Sequence, residues 1–119
     1  MTPLILAAAV CSIVSVHDGD TIRCDGEKVR IANIDAPELP GSPRCDPRQL
    51  RGGANPSWCD YALGERSRDA MRAIVGTGRV QIDRQGVDRF GRTLATVSVN
   101  GRDVGEYLVA RGLARRWQR

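Results

Sequence analysis

Three acids and two arginines in this chain have the types and spacing needed to cut a phosphodiester. Asp20 lies in His17-Asp18-Gly19-Asp20-Thr21. Arg30, Asp35 and Glu38 lie in Arg30-Ile31-Ala32-Asn33-Ile34-Asp35-Ala36-Pro37-Glu38, and Arg92 closes Asp88-Arg89-Phe90-Gly91-Arg92. Carboxylates at backbone-anchored positions hold a hard divalent cation and orient water. Guanidinium groups offer a planar fork of donors that matches phosphate oxygens. Each residue alone is an ordinary turn, strand-end or surface residue, and the case rests on their coincidence in one small domain.

The positions are suited to the roles. Asp20 follows a tight turn and Asp35 ends a strand, so both are held by backbone. If their strands are neighbours, the two carboxylates converge on one cation. Glu38 lies three residues beyond Asp35, after the stiffening Pro37, where it could orient or deprotonate a water. Arg30 interrupts an otherwise aliphatic strand, so it faces either an acid or a ligand. Histidine-pair catalysis and histidine metal clusters are excluded because His17 is the only histidine.

Residues 12–17 and 20–25 read as a hairpin around Asp18-Gly19. A third strand spans 28–35, with a bulge or bend expected because its apolar residues do not alternate cleanly. The stretch 39–59, rich in Pro, Gly and Arg, reads as a long loop, and such loops are functional or tied down. Residues 63–75 predict an amphipathic helix with Ala70, Met71, Ile74 and Val75 inward, stopped by Gly76 and Gly78. Strands at 79–84 and 93–99 and a helix at 103–112 follow. This order predicts a mainly β domain with two or three helices, a five-stranded barrel of the OB type. An unclosed α+β sheet is the competing architecture.

At 119 residues the chain is one domain. Five aromatic residues leave the core to aliphatic side chains. The formal charge is +4, and all but Lys28 of the 18 basic residues are Arg, which points to a polyanionic partner or to arginine-favouring codon usage. Four cysteines at 11, 24, 45 and 59 lack the Cys-x-x-Cys spacing of zinc sites. They fit two disulfides. Cys45–Cys59, flanking the loop, and Cys11–Cys24, flanking the hairpin, are favoured among three pairings, and four free thiols in a cytoplasmic protein is the alternative. The apolar run in residues 1–10 is too short to span a membrane. It has the length of a signal-peptide apolar region, with Ala7-Ala8-Ala9 as a small-x-small cleavage pattern but no preceding basic residue. Otherwise it leads into the first strand. An export signal or disulfides would place residues 11–119 in a secreted or periplasmic protein.

Asp18-Gly19-Asp20-Thr21, Arg30 to Glu38, Asp88 to Arg92 and Gly112-Leu113-Ala114 together resemble the staphylococcal nuclease (thermonuclease) family, over residues 12–38 and 64–116. The resemblance implies that Asp20, Asp35 and the backbone carbonyl of Ala36 bind Ca²⁺, and that Glu38 activates water. It implies that Arg30 and Arg92 stabilise the five-coordinate phosphate. It also implies an OB barrel and cleavage of DNA and RNA with little sequence preference; a monomer with no stable membrane association is expected alongside it. Ala36 and Phe90 stand where threonine and tyrosine are common in the family. The 39–59 segment and the family's base-stacking tyrosines have no counterpart, and Trp117 either substitutes for them or covers the second helix. The reading from another class is a non-catalytic OB-type nucleic-acid-binding module. The retained acids and the scarcity of aromatics argue against it.

Overall fold

A computed structural model of the chain describes residues 7–48 and 55–118. The strands are β1 (Ala8–Cys11), β2 (Val14–Asp18), β3 (Thr21–Cys24), β4 (Glu27–Ile31), β5 (Ile34–Asp35), β6 (Val80–Val87), β7 (Thr93–Val99), β8 (Arg102–Asp103) and β9 (Arg115–Arg116). The helices are α1 (Tyr61–Val75) and α2 (Val104–Ala110), with a 3₁₀ turn at Pro43–Cys45. No helix among the described residues is long and apolar enough to cross a membrane.

The main sheet runs β1-β6-β7-β4-β3-β2, with β8 on β7, while β5 and β9 form a separate pair. Neighbours are antiparallel except β4 and β7. The domain is mainly β with two helices, as expected for an OB-type fold, but no hydrogen-bonded ladder joins β1 to β2 among the described residues. The curl of the sheet is closed covalently instead. The Cys11–Cys24 disulfide ties the end of edge strand β1 to β3, and the Asp25 carboxylate accepts the Ser12 and Ile13 N–H groups beside it. The second bridge is Cys45–Cys59. Both are the favoured pairings.

Alternation along the strands buries one face. Ile22, Val29, Ile31, Ile82, Ala95, Val97 and Val99 meet Met71 and Ile74 of α1 and Val104 and Leu108 of α2. In α1 the buried positions are Gly64, Ser67, Met71 and Ile74, one stripe of a 3.6-residue period. Asp60 and Asp103 cap the two helices, accepting the N–H groups of Leu63 and Glu106.

Several boundaries differ from expectation, among them the start of α1 at Tyr61 instead of 63. The Ala8–Cys11 stretch is a strand paired with β6, and residues 1–6 of the proposed leader lie outside the described residues. The third strand breaks at the Ala32–Asn33 turn into β4 and β5. Strand β6 continues to Val87, bent by a register shift between Arg84 and Gly86. Helix α2 ends at Ala110, before Gly112 at φ 70°.

Candidate functional site

The antiparallel register of β3 and β4 sets Thr21 opposite Arg30, and the Ile31 N–H donates to the Asp20 carbonyl at 2.8 Å. Asp20 thus enters β3 beside Arg30. One residue before the turn, the β2–β3 register shifts between Val16 and Asp18, a bulge that turns Asp18 towards Asp20. The Asp20 N–H donates to Asp18 Oδ1 at 3.0 Å.

Arg30 then gathers the acids. Its Nη1 donates to the carbonyls of Ile31 and Ile34 at 2.6 and 2.8 Å, which fixes the guanidinium. Its Nη2 lies 3.4 Å from Asp20 Oδ2 and 3.4 Å from Asp35 Oδ1. The two predicted cation ligands therefore face one another across a single nitrogen. The Ala36 N–H donates to Asp20 Oδ2 at 2.8 Å, binding the Asp35–Ala36 turn to the hairpin. Trp117 is 37% exposed, with the Arg30 guanidinium 5.1 Å from its ring centre.

Glu38 is held by Trp58, inside the segment that the Cys45–Cys59 bridge closes, and by Ser42 and Arg44 just before it. Its N–H donates to the Trp58 carbonyl at 2.8 Å, the Ser42 hydroxyl donates to Oε1 at 2.9 Å, and Arg44 Nε stands 3.7 Å from the same oxygen. Behind the acids lies α1, which approaches so closely that two positions admit no side chain. A Cβ at Gly64 would overlap the Glu38 carbonyl, and one at Gly19 would overlap the Ser67 hydroxyl and press on Ala36. Glycine serves here for close backbone approach.

The buried polar and charged side chains among the described residues are Asp20, Arg30, Asp35, Glu38 and Ser67. All but Ser67 are predicted site residues. Burying charge is costly unless it is paired or hydrogen-bonded, so this concentration marks the candidate site. Burial raises the Asp18 carboxyl to about 8, helped by the charge of Asp20 and a hydrogen bond to it. Burial also raises Asp35 and Glu38, against the hydrogen bonds from Arg115 and Ser42 respectively, and the charge of Asp20 adds to both shifts. Three carboxyls that burial first, and the charge of Asp20 second, drive towards their protonated forms leave the cluster short of positive charge. That donor set suits a hard cation. Among the described residues no group of three or more His, Cys, Asp or Glu side chains is placed to hold a metal ion, so a cation here would draw on two carboxylates and complete its shell with carbonyl and water oxygens.

Arg92 sits apart from this cluster in its contacts. Its Nε donates to Asp88 Oδ2 at 2.7 Å, and its guanidinium carbon is 5.6 Å from the Phe90 ring centre. No ion pair links it to Asp20, Asp35 or Glu38 among the described residues. The hairpin carrying it enters β7, whose Leu94 pairs with Arg30 in parallel register.

Residues beyond the sequence-based set also contact this cluster. Asp18 could have been found from the Asp-x-Asp spacing, which brings both acids to one turn. Arg115, whose Nε and Nη2 donate to Asp35 Oδ2 at 2.9 and 2.7 Å, gave no local signal. Neither did Ser42 or Trp58, because their roles arise from chain-distant packing.

The family described as staphylococcal nuclease homologue matches residues 28–119. An uncharacterized endonuclease of Haemophilus influenzae is 30% identical, covering 87% of this chain and 50% of that protein. The succinoglycan biosynthesis protein ExoI of Rhizobium meliloti is 31% identical, covering 91% and 52%. A micrococcal nuclease of Shigella flexneri is 32% identical, covering 71% and 40%. The chain spans about half the length of the curated relatives it matches. With most of its length, including Arg30, Asp35, Glu38 and Arg92, inside the matched region, the chain belongs to the staphylococcal nuclease family.

Proposed function

We propose that this domain is a Ca²⁺-dependent nuclease that hydrolyses phosphodiester bonds of DNA and RNA with little sequence preference. The observation that carries the proposal is the buried cluster of Asp20, Arg30, Asp35 and Glu38, assembled from two hairpin strands and a stiff turn. Asp20, Asp35 and the Ala36 carbonyl would hold the cation. When bound, the cation supplies charge neutralisation to the oxygens of the scissile phosphate.

The chain's own groups do the rest. Glu38, with Ser42 fixing Oε1, keeps Oε2 to orient a water and accept its proton. Its raised proton affinity, from burial first, makes it a better acceptor than an ordinary glutamate. Arg30, already fixed by two carbonyls, presents positive charge without reorganising, which is what stabilises charge developing on phosphoryl oxygens. Arg92 supplies a second guanidinium on the hairpin preceding β7. Two disulfides favour a secreted or periplasmic setting.

The test is hydrolysis of single-stranded DNA and of RNA with Ca²⁺ and with excess chelator. Cleavage of both only in Ca²⁺ is expected. Binding of DNA without cleavage at any Ca²⁺ concentration would replace the enzyme with a binding barrel.

A further inference from the structure

We propose that Arg115 is a positioning residue for Asp35, seated on Trp58 of the disulfide-closed segment. The proposal rests on the assignment of Asp35 as a cation ligand. In β9, Arg115 lies in register opposite Asp35 of β5, so the guanidinium crosses directly between strands. Both Nε and Nη2 donate to the same oxygen, Asp35 Oδ2. Nη2 also donates to the Pro56 carbonyl, and the guanidinium carbon lies 5.2 Å from the Trp58 ring centre. A guanidinium held by a carboxylate, a carbonyl and a ring face is a rigid support.

The consequence is an unequal division of the carboxylate. Oδ2 is taken by Arg115. Oδ1 has Arg30 at 3.4 Å, at the long end of hydrogen bonding, on the side that faces Asp20. Arg115 thereby turns Oδ1 towards the place where the second acid points. Trp58 joins this support to the rest of the site, because its carbonyl also accepts the Glu38 N–H. Exposed arginines such as Arg48 and Arg116 pair with acids that are themselves at the surface. Asp35 is 2% exposed, so the orientation given to it is retained.

A simple countercharge would behave in the opposite way. Removing it would leave more negative charge for a cation and tighten binding. A positioning role predicts weaker binding, because groups that orient a metal ligand typically matter 10–100-fold in affinity.

The experiment is calorimetric titration of the metal-free chain with Ca²⁺, for the parent, Arg115→Met, Arg115→Lys, Trp58→Leu and Asp35→Asn, with folding checked by near-ultraviolet circular dichroism. Arg115→Met is expected to raise the Ca²⁺ Kd about 10–100-fold. Arg115→Lys should fall between it and the parent, since lysine keeps the charge but not the fork or the stacking plane. In hydrolysis assays, kcat at saturating Ca²⁺ should change less than the Ca²⁺ requirement. Should Arg115→Met not fold, Trp58→Leu carries the test: it leaves Arg115 in place, removes its seat, and should weaken Ca²⁺ about 2–5-fold. Asp35→Asn losing Ca²⁺ while Arg115→Met and Trp58→Leu bind as tightly as the parent, or more tightly, overturns this inference alone. A parent that takes up no Ca²⁺ overturns it together with the metal assignment.

Discussion

Removing the two disulfides one at a time separates fold stability from site geometry. Cys11–Cys24 and Cys45–Cys59 span sequence separations of 13 and 14 residues. In the chain-entropy model each loop contributes about 3 kcal/mol, and the difference between them is below ~0.1 kcal/mol. For a domain of this size, that loss lowers the melting temperature by about 10–15 °C. Cys11→Ala/Cys24→Ala should lose somewhat more, because both side chains are buried in the core, whereas Cys59 is exposed. The functional effects should diverge. The Cys45–Cys59 bridge closes the segment whose Pro56 and Trp58 hold Arg115 and whose Trp58 carbonyl accepts the Glu38 N–H, and it pins the end of the Pro43–Cys45 turn beside which Ser42 and Arg44 hold the Glu38 carboxylate. Misplacing a catalytic group by about 1 Å costs up to ~100-fold in rate. The assay is the initial rate of single-stranded DNA hydrolysis at saturating Ca²⁺, at a temperature where circular dichroism shows both variants folded. Cys45→Ala/Cys59→Ala should lose about 10–100-fold, while Cys11→Ala/Cys24→Ala stays near the parent. A folded Cys45→Ala/Cys59→Ala variant with the parent's rate would refute the view that this segment positions the site.

Other perturbations follow from the same packing. The hydrogen bond from Arg84 holds the Glu27 carboxyl down to about 2 against the opposing effect of burial, with a lesser contribution from the Thr93 hydrogen bond. A lowered pKa stabilises the fold above the unfolded value, near 4.5, and that contribution fades as pH falls towards 2. Allowing for its partial exposure, Glu27→Gln should cost about 1–2 kcal/mol at pH 7 in urea unfolding, and the gap should narrow below pH 4.5; a gap that does not narrow contradicts the pairing. Gly64→Ala should destabilise by about 1–3 kcal/mol although alanine favours helix, because its Cβ meets the Glu38 carbonyl and backbone cannot swing aside; a melting temperature at or above the parent's would show that α1 can back away. Met71→Ala, emptying a fully buried position under the sheet, should cost about 2–5 kcal/mol in the same unfolding assay, and a loss below 1 kcal/mol would mean the core collapses around it.

The parts of the fold legible in the sequence are those with a local physical signal. The 3.6-residue stripe through Met71 and Ile74, the alternation of 93–99 and the Asp18-Gly19 turn each state their element within a few residues. The cysteines were legible as pairs because each flanks one compact stretch. Strands β5 and β9 were not, since two-residue strands have no periodicity and exist only by pairing across 80 residues of chain. Nor was β1, whose apolar run has the composition of a leader and pairs with β6 far along the chain. At the site, the acids and Arg30 announce themselves by type and spacing. Their supports do not: Trp58 acts through a carbonyl and a ring face, and Arg115 is one arginine among many until the β5–β9 register sets it against Asp35.

The central claim is that Glu38 activates water beside a cation held by Asp20 and Asp35. Its most direct test compares the parent with Glu38→Gln, which keeps the shape of the side chain and an oxygen for Ser42, by measuring Ca²⁺ affinity calorimetrically and DNA hydrolysis at saturating Ca²⁺. The account predicts hydrolysis reduced by about 10²–10⁴-fold, the usual weight of a general base, with Ca²⁺ binding largely kept. Hydrolysis at the parent's rate in a folded, Ca²⁺-loaded Glu38→Gln protein would contradict it.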